Sequence, residues 1–285
     1  WGSDVIVENP GQGSDTLDLG ALADALTFTI DTDLMVTYGS NALLHTGNQL
    51  EILVGGAGDD AFVFNAEGAS LVGGLGTING GGGSNTLNYA AYTSPVAANL
   101  LTGTASGLAA LSNIVNLIGG AGNDTLVGNA QNNRITGGPG DDNIQGGAGS
   151  DTLDEHDSAV DLRVDLNLVT PQDTGRGLDT LVGIENVITG SGNDTLISSA
   201  SGNTLAGGAG NDTYVFANGA GSDVVIENSG EGSDTLDLSA VSVNLVVTVS
   251  SASVSVSGSA LSMNAGEIEN ILSGAGSDRF VFAAN

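Results

Sequence analysis

The pattern Gly-Gly-x-Gly-x-Asp-x-U-x, with U apolar, occurs in full five times in this chain, at 55–63, 119–127, 137–145, 146–154 and 207–215. At the chain's own glycine and aspartate content, about 0.03 such matches are expected by chance. Each letter has a physical reading. Glycine tolerates positive φ and close backbone approach, so the turn can aim its carbonyl oxygens inward. Aspartate adds a hard anionic oxygen, and a calcium ion takes about six to eight such oxygen donors. The closing x-U-x is a short strand whose middle side chain faces the interior, here Phe62, Leu126, Ile144, Leu153 and Tyr214. Nine residues make half a coil, and eighteen return the chain to the same side. The expected fold is all-β: a right-handed parallel β-solenoid, or β-roll, with calcium-binding Gly/Asp turns.

The charge balance asks for the same partner. The formal net charge is −29, with four Arg, no Lys and no Cys. A compact body so charged repels itself, and its own side chains supply almost no compensation, so Ca2+ is the expected cofactor. Nucleic acid is excluded as a partner, because phosphate needs a basic surface. No apolar run reaches the length of a membrane span, and without Cys there is no disulfide or thiol chemistry. With 4% aromatic and 40% hydrophobic residues, the latter in short regular runs, the interior should be thin and aliphatic. No signal peptide is visible, and the opening Trp1-Gly2-Ser3-Asp4 reads as a window cut from a longer protein.

The eighteen-residue rule places the ions. Asp124 and Asp142 are eighteen apart, as are Asp194 and Asp212. Each pair is expected to stack on one edge and share a cation, with carbonyls of Gly120, Gly122, Gly138, Gly140, Gly208 and Gly210 as further donors. Asn133 and Asn203 stand at the Asp position of the intervening half-coils, which are read as turns that keep the shape and bind weakly or not at all. At the same spacing Asp151 faces Asn133, and Asp60 meets Ile78, which cannot ligate. Asp212, Asp223 and Asp234, eleven apart, predict a longer coil of 22 residues. Asp15 and Asp278 complete the candidate ligands.

Residues 2–19 realign with 221–238, identical at 14 of 18 positions, and 57–64 realign with 275–282. The chain is read as one continuous solenoid over 1–285, in which 1–67 and 219–285 are copies of one unit with a period of 218–219 residues. A looser repeat, at 49–53, 112–116, 183–187 and 267–271, should form the strand feeding each glycine turn. Apolar residues alternate at Val160, Leu162, Val164, Leu166 and Leu168, and again from Val241 to Val249, which means strands with one buried face. Leu26, Phe28 and Ile30, then Leu34, Val36 and Tyr38, flank Asp31-Thr32-Asp33 as a hairpin or a solenoid corner. No helix is expected.

On these residues the chain resembles the RTX, or haemolysin-type, calcium-binding repeat family, and 180–187 is similar to the spacers between such blocks in large bacterial proteins. The resemblance implies a parallel β-roll whose Asp carboxylates and loop carbonyls hold Ca2+ between successive turns. It also implies export as an unfolded, calcium-free chain through a one-step secretion channel. The long unbroken run of perfect repeats typical of the family's toxins is missing, and the usual C-terminal secretion signal is not within these residues.

Catalysis is not expected. Asp154-Glu155-His156-Asp157 is read as a solvated turn and His45 as a surface residue. The sequons at Asn123, Asn193 and Asn211 lie inside calcium turns and are read as such. The expected role is a calcium-binding structural module that folds on calcium binding. It would belong to a secreted protein or one on a bacterial cell surface (adhesin, sheath or filament scaffold), with end-to-end homo-oligomers or tandem arrays as partners. The alternative is an accessory secretion and folding module of a secreted hydrolase or toxin.

Overall fold

The computed structural model describes residues 3–7, 13–46, 50–69, 71, 76–250, 253–258, 261–265 and 267–283. Among these, every regular element is a β-strand. The chain divides into two compact units, Trp1–Gly149 and Ser150–Asn285.

The nonapeptide dictates the local structure. Strands Thr125–Val127, Asn143–Gln145 and Thr213–Ala217 each begin on the residue after the repeat's Asp. Their inward residues Leu126, Ile144 and Tyr214 are buried. In the first unit Thr125 pairs with Asn143 and Leu117 with Ile135, both parallel and at the eighteen-residue spacing. In the second, Asn186 pairs with Thr204 and Thr195 with Thr213 in the same way. The next coils are longer: Thr204 pairs with Val224, and Thr213 with Thr235, which is the 22-residue coil. Consecutive strands enter different ladders. Thr195–Ile197 and Thr213–Ala217 belong to a five-stranded sheet with Arg163–Asp165, Thr235–Ala240 and Asn270–Leu272. Asn186–Ile188, Thr204–Ala206 and Gly221–Ile226 form another. This is a β-roll, and the strands Ile52–Val54, Asn116–Ile118, Asn186–Ile188 and Asn270–Leu272 take their places in it, each starting only at the end of its expected feeding segment, where 50–51, 113–115, 183–185 and 267–269 form the bend before the strand.

Both units carry the same departure from parallel winding. In the first, Thr27–Ile30, Leu34–Tyr38 and Asn41–Thr46 form an antiparallel meander, so the turn at Asp31-Thr32-Asp33 is a hairpin. In the second, Val246–Val249, Val254–Gly258 and Leu261–Ala265 do the same. The meander returns to the roll without breaking it. Its last strand pairs in parallel with Ser3–Val7 in one unit and Gly221–Ile226 in the other. Its first strand pairs in parallel with Ala61–Phe64 and Arg279–Phe282, respectively. In the first unit Phe28 stacks on Phe62 at 4.5 Å and Phe64 on Tyr89 at 4.8 Å. Such pairs add about 1 kcal/mol each beyond the area they bury.

Two expectations are corrected here. The alternating run from Val160 to Leu168 yields only the strand Arg163–Asp165, with Leu162 and Val164 buried and Val160 and Leu168 exposed. A thin roll needs about three residues to cross it, and the chain turns at once, with Asn167 bonding Asp165 Oδ1 and the Ser198 carbonyl. His45 is fully buried, not on the surface. It lies in Asn41–Thr46 two residues after the buried Leu43, so strand alternation carries both to the inner face.

The turns stack as tightly as their glycines allow. Gly210 has φ +135°, and a Cβ there would lie 1.9 Å from the Gly192 carbonyl oxygen; Gly219 has φ +78° and open space around it. Gly219→Ala should cost about 1 kcal/mol of left-handed strain. Gly210→Ala should cost clearly more, because the backbone of the preceding turn must also move. Urea unfolding in saturating calcium measures the difference, and equal costs would contradict this packing.

Candidate metal centre

The repeat's aspartates do not point to solvent. Asp60, Asp124, Asp142, Asp151, Asp194, Asp212, Asp223 and Asp234 are all buried. Each sits just before a strand or within one, and backbone amides bond the carboxylates of Asp60, Asp124, Asp142, Asp194, Asp212, Asp223 and Asp234. Asp124 Oδ2 accepts the Gly120 N–H at 2.6 Å, and its Oδ1 accepts the Val96 N–H at 2.9 Å. Asp142 Oδ1 then accepts the Asp124 N–H at 2.8 Å. In the second unit Asp194, Asp212 and Asp234 accept, in order, the N–H of Leu162, Asp194 and Asp212, at 2.7, 2.7 and 2.9 Å. These coils are thus each stitched to the one before by an anionic side chain, and the stitches form a column. The turn carbonyls join that layer: a Cβ on Gly138 or Gly140 would lie 2.1 Å from Gly120 O or 2.4 Å from Gly122 O, and one on Gly208 2.2 Å from Gly190 O.

The eighteen-residue spacing brings Asp124 to Asp142 and Asp194 to Asp212, and the longer coil adds Asp234. For Asp60 that spacing fails. Its partner is Asn85, whose Oδ1 accepts the Asp60 N–H at 2.8 Å, because the next coil here is 25 residues long. Asp278 Oδ1 accepts the Leu245 N–H at 3.0 Å, and the Asp15 N–H is taken by Glu51 Oε2 at 2.7 Å.

Glu51 belongs to a set the spacing rule passes over. Glu185 Oε2 accepts the Asp151 N–H at 2.8 Å, and Glu269 Oε2 accepts the Asp234 N–H at 2.7 Å. Each glutamate stands immediately before its strand, the place held by Asp in the nonapeptide. That position, rather than a distance along the chain, was the available signal. Asn133 and Asn203 hold the same place differently: Nδ2 donates to the carbonyls of Val115 at 2.7 Å and Glu185 at 2.8 Å. The amide supplies a donor where Asp has only acceptors, so these turns close without added charge. The sequon asparagines are turn stitches as well, Asn123 Oδ1 accepting from Asp141 and Asn193 Oδ1 from Asn211, both at 3.0 Å.

The cluster at 154–157 is only half solvated. Asp154 and Glu155 are buried, Arg176 binds Glu155, and His156 Nδ1 lies 2.8 Å from Asp154 Oδ1. One of the few cations of the chain is spent there, which pulls the turn inward.

Burial raises the carboxyls of Asp60, Asp124, Asp194 and Asp234 above their usual range. Asp223 is pushed to about 6 by burial, and Asp212 to about 7 by burial and then by the charges of Asp194, Asp234 and Glu231. Glu227, buried beside them, reaches about 8 from burial despite the Tyr214 hydrogen bond. Groups raised in this way favour the fold below the ordinary carboxylate range and lose that contribution as pH rises through their folded values. Without metal, the protein should therefore gain stability as pH falls from about 8 through 6 toward 5. Circular dichroism in chelator along a pH series reads this: β signal lost at about pH 8 should return as pH falls, and a signal that stays flat or declines over that range would contradict it.

Residues 118–153 match the family model of the RTX calcium-binding nonapeptide repeat (4 copies), and residues 143–250 match that of the Peptidase M10 serralysin C terminal. No curated protein matches the chain.

Proposed function

Because the chain carries RTX calcium-binding nonapeptide repeats, which bind Ca2+, we propose that its stacked carboxylates are a calcium-controlled folding switch in a secreted protein. Asp124 with Asp142, and Asp194 with Asp212 and Asp234, are the principal ligands in this reading. Asp15, Asp60, Asp151, Asp223 and Asp278 are further ligands. One observation carries it. No Arg or His pairs with Asp60, Asp124, Asp194, Asp212, Asp223 or Asp234 among the described residues. Buried charge of one sign needs a counter-ion, and a donor set made only of oxygen suits calcium over softer metals. An ion that binds only the folded chain stabilises it by about 2.7 kcal/mol per site at a hundred times its Kd. Several sites together can decide whether the chain folds. Circular dichroism in millimolar calcium and then in chelator tests this: β signal should vanish and return, and full signal in chelator sinks the idea.

The match of 143–250 to the serralysin C-terminal region favours a non-catalytic module accompanying a secreted hydrolase. Proteins of the RTX and serralysin kind are secreted, and a chain unfolded at low calcium is suited to passage through a channel. The module would then fold outside the cell and promote folding of the enzyme beside it. Fused to a passenger hydrolase, it should raise the refolded yield in calcium but not in chelator. Equal yields with and without the module would reject this role. A tandem surface scaffold is the second reading, favoured by the duplicated unit and its repeated meander.

A further inference from the structure

We infer that Asp212, Glu227 and Asp234 form a calcium site of a different make from the turn sites, with one ligand brought from outside the nonapeptide. The inference rests on the calcium reading above. A carboxylate oxygen from each of the three lies within 4.8 Å of the others, and all three residues are buried. The oxygens are unequally occupied. Asp212 Oδ1 and Asp234 Oδ1 accept backbone N–H groups, and Glu227 Oε1 accepts the Tyr214 hydroxyl. Asp212 Oδ2 and Glu227 Oε2 are buried and accept nothing. Tyr214 is itself fixed, its oxygen accepting the Gly207 N–H at 2.7 Å. Two buried, unpartnered carboxylate oxygens within one such cluster are costly unless a cation joins them.

The register explains why, among the described residues, this coil has such a site. Ile188 pairs with Ala206, and Ala206 with Ile226. Thr189, Gly207 and Glu227 therefore follow at one position of the ladder, the place of the repeat's first glycine. At Gly207 a Cβ would fall 2.1 Å from Asp212 Oδ2 and 2.6 Å from the Tyr214 oxygen. The turn at Gly207 has no room for a carboxylate there. The turn from 227 to 234 is two residues longer than that from 207 to 212, and it admits one. The duplicated segment carries the same Glu and Asp, as Glu8 and Asp15; Glu8 lies outside the described residues.

The test uses the whole chain, titrated with Ca2+ by calorimetry and with Tb3+ by luminescence excited through tyrosine. Tyr214, bonded to a ligand, should sensitise a lanthanide held at this site. Glu227→Gln should remove one ion from the count or weaken it about tenfold or more, leave the remaining ions bound, and lose part of the sensitised emission. Tyr214→Phe should lose that same part. If Glu227→Gln keeps the wild-type ion count, affinity and emission, the site is refuted while the turn sites stand. If Glu227→Gln does not fold in calcium, undiminished emission from Tyr214→Phe refutes it instead. A wild-type chain that binds no calcium overturns the broader reading as well.

Discussion

Everything in this molecule depends on a carboxylate set just before a three-residue strand and turned inward onto the backbone amide of the coil before it. A charged hydrogen bond of this kind contributes about 1.5–3 kcal/mol. Strands in a ladder are about 4.8 Å apart, and two unit charges at that spacing repel by about 3 kcal/mol at an effective dielectric near 20. The gain of each stitch is thus matched by repulsion from one neighbour, before desolvation is counted. The sign of the total is set by what neutralises the column. Inward side chains arrive singly, as Leu126, Ile144 and Leu196 do, and each contributes about 1.5–3 kcal/mol by its burial.

This balance explains which parts of the molecule were legible in the sequence. The nonapeptides fix turn, ligand and strand within nine residues, so their local structure and the eighteen-residue pairing of Asp124 with Asp142 follow from spacing alone. Spacing fails where the chain leaves the roll and comes back. Asp60 meets Asn85 after 25 residues, and Asp15 meets Glu51 after 36, across a whole antiparallel meander. The ladder does not register how long the excursion was. It registers only what stands before the returning strand, which is why Glu51, Glu185 and Glu269 escape a rule written in distances. His45 was misread for a related reason. Its neighbours Thr46 and Gly47 suggest a loop, whereas its environment is set by strand pairing, with Leu34 on one side and Ile6 on the other.

The asparagines show the same constraint from the other side. Asn133 and Asn203 occupy the ligand position, yet each bonds the coil before it through its own amide. In the second unit Asp194, Asp212, Asp234 and Glu269 follow one another in a single column, all anionic. In the other ladder of that unit Asn203 separates Glu185 from Asp223. The interruption spaces the charges there. A rung closed by an amide adds no repulsion and needs no ion, whereas an uninterrupted acidic column does.

The demand for a counter-ion is therefore unevenly distributed along the roll. Where Asn closes the turn, backbone and side chain together satisfy one another. Where Asp follows Asp, the geometry is equally good and the electrostatics are not. The lengthened coil at 213–235 is the extreme case, since Glu227 adds a third buried carboxylate to Asp212 and Asp234 at the point where the column is already most crowded. A sequence selected for stability in the absence of metal would place Gly or Thr there, as the two preceding coils do. A Glu at that position suits the cation site proposed for this coil, where its charge is the counterpart of the bound ion.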